Sequence, residues 1–156
     1  MDQAPMSEAR PATGASNAQR GIWAFLFYTL VGPFFGAVAA GGLLMIASVG
    51  GFAPAPYAGL GLGEVFRQIA PLSVAAFVWS AVPATLTGIG LLPLILFTGT
   101  AGPIAAGICG VIAFAISVFM IPIPDNGLMP IMAFAAGLVA ILVRQVLISG
   151  GILRRI

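Results

Sequence analysis

Apolar residues in this chain run in blocks instead of alternating with polar ones. Residues 101–121 and 128–148 are almost free of charge. Between them lies the turn-forming cluster Pro122-Ile123-Pro124-Asp125-Asn126-Gly127. Each block holds about 21 residues, roughly 31 Å as an α-helix, which matches a bilayer's hydrocarbon thickness. Lipid offers backbone N–H and C=O groups no partner, so such blocks must be helical. Together they predict a transmembrane helical hairpin.

An earlier block, 21–49, predicts a first span. It is longer than the hydrocarbon core requires, so it should tilt or project into a headgroup region. Trp23 and Tyr28 lie near its start, as interfacial aromatics do. Arg20, the apolar run and Ala37-Val38-Ala39 together mimic a secretory signal. The run nevertheless continues through Leu43-Leu44-Met45-Ile46, as a retained anchor would.

Residues 50–63 form a Gly/Pro loop, and the block after it is awkward. As one helix, 64–97 would extend roughly 50 Å, too long to cross once and too short to cross twice. A break at Pro71 resolves this. It leaves a short interfacial helix at 62–70, with Glu64 and Arg67 three residues apart, and a second span at 71–97 with proline in its first turn. Pro83 and Pro93 should kink that span, with Ser80, Thr85 and Thr87 near the freed carbonyls. The connection at 98–102 is so short that the second and third spans must be antiparallel neighbours. The predicted fold is therefore an all-α integral membrane protein of four transmembrane helices in two hairpins, with a short interfacial helix before the second span. A polar tail at 1–20 should be disordered. The membrane domain is 21–149, with spans at about 21–49, 71–97, 101–121 and 128–148, and 150–156 is a short basic tail. Ala39-Ala40-Gly41 and Ala105-Ala106-Gly107 each precede a Pro-x-Pro, an echo that the abundance of alanine and glycine explains equally well.

Composition strengthens this reading. Of 156 residues, 60% are hydrophobic and 6% charged, against about 25% charged in soluble domains. Every basic residue is arginine, and Ala, Gly and Pro are abundant, a bias that points to a GC-rich, bacterial genome and hence an inner (plasma) membrane. Four spans place Arg10, Arg20, Arg144, Arg154 and Arg155 on one side and Arg67 alone on the other. By the positive-inside rule both termini face the cytoplasm.

The chemistry available is meagre. There is no histidine, which removes the commonest metal ligand and general base. The single Cys109 lies in an apolar run and is read as a small buried hydrophobe. No carboxylate sits at mid-membrane, where ion relays place them. No catalytic, cofactor or metal site is therefore expected, and a net charge of +2 gives no footing for nucleic acid.

What recurs is small residues four apart: Gly32, Gly36 and Ala40; Ser80, Ala84 and Gly88; Gly102, Ala106 and Gly110; Ala133 and Gly137. In lipid such stripes let helices approach closely, either one another or a partner subunit. Arg144 is the sharpest polar feature inside a span and should contact lipid phosphates or a partner. Asp125-Asn126-Gly127 is read as a turn and helix cap. The expected function is non-catalytic: an accessory or scaffold subunit of a larger inner-membrane complex for energy transduction or transport, or a homo-oligomer. Its partners would be membrane lipid and other membrane subunits or itself. The alternative is a small transporter or channel component passing a small or neutral solute along the proline-kinked second span.

Overall fold

The computed structural model describes residues 15–53, 58–59, 61–121 and 129–154. They form α1 (Asn17–Val49), α2 (Leu62–Thr98), α3 (Pro103–Met120) and α4 (Met129–Ser149), with no strand among the described residues. All four helices are long and apolar enough to cross a membrane.

Local sequence sets most helix ends. α1 starts earlier than its apolar block because Ser16 and Gln19 form a capping box: Gln19 N–H donates to Ser16 Oγ, and Ser16 N–H to Gln19 Oε1. It ends on Gly51 at φ 73°, with Phe52 N–H reaching back to Ala47 O. α4 closes in the same way, with Gly151 at φ 72° and Ile152 N–H on Leu147 O. α2 stops at Gly99, also left-handed at φ 73°, whose N–H meets Ile95 O. α3 begins with Pro103, where the missing N–H costs nothing.

The expected break at Pro71 does not appear as a separate element. α2 runs unbroken for 37 residues, about 55 Å. Proline removes one helical hydrogen bond at a cost of about 3 kcal/mol in a soluble helix interior. Bonded turns on both sides can carry that local cost, as α1 does through Pro33. The expectations for residues 1–14, for the Pro-x-Pro turns and for Asp125-Asn126-Gly127 fall outside the described residues.

Each helix packs on its sequence neighbours, and α1 closes the ring against α4; α2 and α4 barely touch across the diagonal. α1 and α2 are antiparallel: Gly32 faces Ala84, Gly36 faces Ser80, and Gly88 faces Tyr28. α3 and α4 pair likewise, Gly107 with Ile141 and Gly110 with Gly137. The core comprises Ala24, Tyr28, Leu91, Ile95, Ala106, Ala140, Val143 and Leu147 among others. It lies toward the end that holds the start of α1, the α2–α3 connection and the end of α4. The helices are flush there. At the other end α1, with 33 residues, and α2 outrun α3, with 18, so roughly 15–25 Å of the α1–α2 pair stands beyond its neighbours.

Candidate functional site

The flush end gathers most of the polar chemistry. Asn17 Nδ2 donates to Leu96 O at 3.2 Å, tying the first turn of α1 to the last of α2. A Cβ at Gly99 would lie 2.6 Å from Asn17 Oδ1, so glycine is needed there for space as well as for its φ. The chain after α4 folds back onto the same connection: Thr100 Oγ1 donates to Arg154 O at 2.8 Å, and Leu153 is buried.

Two arginines are buried at this end. Arg144 is 7% exposed, and its Nε donates to Ala101 O, just before the first turn of α3. Arg20 is 9% exposed, and its Nε donates to Ala15 O at 2.9 Å. About three turns into α1, the Tyr28 hydroxyl donates to Ala140 O at 2.8 Å and fastens α1 to α4. In antiparallel helices that bond places Arg144 level with Ala24 and Arg20 one turn nearer the end. Among the described residues the one ion pair is far away: Arg67 Nη2 meets Glu64 Oε2 at 2.6 Å near the overhanging start of α2.

The small-residue stripes lie mainly at seams inside the bundle. A Cβ at Gly32 would stand 2.9 Å from Ala84 Cβ, and one at Gly36 2.5 Å from Ser80 Cβ. One at Gly110 would stand 2.8 Å from both Ala136 O and Ala140 Cβ. Ala106 is buried in the core, Ala40 is half-buried, and Gly102 has nothing within 4 Å of its missing Cβ. Arg144 ties α4 to the α2–α3 connection, just before the start of α3.

The hydroxyls of Ser80, Thr85 and Thr87 are engaged, though not with the carbonyls that proline frees. Ser80 Oγ lies 2.7 Å from Ala76 O and 2.9 Å from Pro33 O, so its proton serves its own helix and the α1 seam. Thr85 Oγ1 donates to Ala81 O and Thr87 Oγ1 to Pro83 O. A helical hydroxyl reaches back to the carbonyl about four residues earlier, which fixes its target regardless of where proline falls. Thr29 Oγ1 is sealed off without a partner. An apolar groove of about 340 Å³ lies on the outer face of α3 and α4, lined by Ile104, Ile108, Phe134 and Leu138 among others. Among the described residues no set of His, Cys, Asp or Glu could hold a metal.

Sequence reasoning missed three structural features of this end: the burial of Arg20, the Tyr28 cross-link and the return of the C-terminal segment onto Thr100. Only the first had a signal, because the Ser16-x-x-Gln19 box moves the start of α1 ahead of Arg20 and makes that arginine helical. The chain matches no protein-family model, no curated protein and no solved structure.

Proposed function

We propose that this protein is a non-catalytic accessory or scaffold subunit of a larger bacterial inner-membrane complex, or a homo-oligomer, with both termini in the cytoplasm. Its helices form two hairpins of unequal length, and the first turns of α2 lie at the far interface, where Glu64 and Arg67 reach water. The observation that carries this reading is the α1–α2 overhang. If α3 and α4 fill the roughly 30 Å hydrocarbon core, the overhang extends past it, yet Ile46, Val49 and Val74 are exposed there. Fitting about 50 Å of α1 within the core would need a tilt of roughly 50°, beyond the usual 0–40°. Apolar surface of this kind outside lipid marks an interaction site, so another protein chain covers it.

The transporter alternative draws less support. Its proposed path residues Ser80, Thr85 and Thr87 donate to backbone carbonyls, which leaves little for a solute to bind.

Cysteine substitution tests the subunit reading in a Cys109→Ala background, since that removes the chain's one native thiol. Cysteines at Ile46 and Val74 should cross-link to another chain in native membranes, and the mass in a mild detergent should exceed one chain. A monomer of about 16 kDa with no cross-link at either position would sink the proposal and favour the transporter.

A further inference from the structure

Among the described residues the flush end carries positive charge and no acidic side chain. Among the described residues the one carboxylate side chain is Glu64, at the opposite end and paired with Arg67. Arg20 and Arg144 are each more than nine-tenths buried. A guanidinium stays charged at any pH a cell reaches, so burial cannot be relieved by losing the proton. A backbone carbonyl neutralises nothing, and one is the sole partner of each Nε. A buried cation left with no counter-charge is strongly unfavourable.

Among the described residues the terminal nitrogens of Arg20 and Arg144 donate to no acceptor. Within those residues each guanidinium is held through Nε alone. Planar forks held in place suit tetrahedral oxyanions, which accept two parallel N–H bonds. The start of α3, beside Arg144, adds backbone N–H groups with no side-chain cap. Arg154, exposed on the returning segment, adds a third positive charge at the rim.

We propose that this end of the bundle is a binding site for a phosphate-class anion, with Arg144 and Arg20 as its principal ligands. The same chemistry is offered by the headgroup of a net-anionic phospholipid and by free phosphate. The site lies at a membrane boundary in the bilayer reading above, on which this inference rests. Lipid phosphate is the source at highest local concentration there. A zwitterionic headgroup carries its own cation and neutralises these arginines poorly.

The test uses the full chain in lipid discs, either phosphatidylcholine alone or phosphatidylcholine with phosphatidylglycerol, and follows thermal unfolding. Wild type should unfold about 3–6 °C higher with phosphatidylglycerol, the shift for a ligand at roughly ten times its Kd on a chain of this size. Native mass spectrometry should retain at least one phosphatidylglycerol. Arg144→Gln and Arg20→Gln should each lose most of the shift, whereas Arg67→Gln, at the other end, should keep it. Arg144→Lys should keep part, having the charge but no fork, and it carries the test if Arg144→Gln does not fold in neutral discs. A shift reproduced by inorganic phosphate in neutral discs would assign the site to a soluble anion; one needing phosphatidylglycerol assigns it to lipid. No response to either in wild type, or an equal response in all variants, would overturn the proposal. A response seen only after removal of residues 1–14 would also overturn it, since Asp2 or Glu8 would then be the native counter-ion. None of these results depends on a protein partner, so the site and the subunit reading can fail separately.

Discussion

Two glycines one turn apart on α3 make the same substitution mean opposite things. At Gly110 a new Cβ would stand 2.8 Å from Ala136 O and from Ala140 Cβ, and 3.1 Å from Gly137 Cα. Two of those atoms belong to the α4 backbone, and carbon atoms normally rest about 3.5–4.0 Å apart. Relief requires the α3–α4 seam to open by several tenths of an ångström along its length. Overpacking of this kind costs about 1–3 kcal/mol, against a helix-propensity gain of up to about 1 kcal/mol for alanine over glycine. At Gly107 the nearest atom is Ile141 Cδ1 at 3.1 Å, the tip of a flexible side chain, and backbone comes no closer than Gly137 O at 3.9 Å. There the propensity gain should prevail or balance. Gly110→Ala should therefore be less stable than Gly107→Ala by about 2 kcal/mol, or roughly 4–8 °C in unfolding midpoint for a chain of this size. Circular dichroism during heating, or during titration from mild detergent into dodecyl sulfate, would measure the difference. Equal stability of the two variants would refute the placement of the α3–α4 seam.

Two other predictions need less argument. Thr29→Val removes the sealed hydroxyl that has no partner and should be neutral or stabilising by up to about 1 kcal/mol, because an unsatisfied buried polar group is lost at nearly constant shape. A loss above 1 kcal/mol by the same unfolding assay would mean that Thr29 has a bonding partner. Reporter fusions after Ala58 should behave as periplasmic and those after Ile156 as cytoplasmic; an exported C-terminus would defeat the proposed orientation.

The helices were legible because their signal is local. Block length against bilayer thickness located all four, and the glycines that end α1, α2 and α4 stand where the apolar runs stop. The start of α1 was equally local, in Ser16-x-x-Gln19, but a hydropathy reading passes over polar capping residues. Pro71 failed in the other direction: proline signals a boundary by steric argument, yet one missing hydrogen bond does not outweigh bonded turns on both sides. The site was much less legible. Whether Arg144 reaches outward to lipid or inward to Ala101 depends on which face of α4 meets α3, and no spacing within α4 encodes that. Tyr28 is the same case, since its partner lies 112 residues away, a separation invisible to any local pattern.

Small-residue stripes were legible as seams but silent about what they join, and this governs how association should be probed. Gly32, Gly36 and Gly110 sit against Ala84, Ser80 and Gly137 of the same chain. A bulky substitution there would part helices within one molecule, so any loss of assembly would report misfolding instead of a missing contact. Gly41 and Gly42 differ, with nothing within 4 Å of either missing Cβ. They lie on the overhanging part of α1, beyond the start of α4, in the stretch that also exposes Ile46 and Val49. Backbone that is open, small and flanked by bulky apolar side chains is what one membrane helix offers another. Under the subunit proposal, determinants of assembly are therefore sought on the overhang, where a substitution can test for a partner while leaving the four-helix core intact.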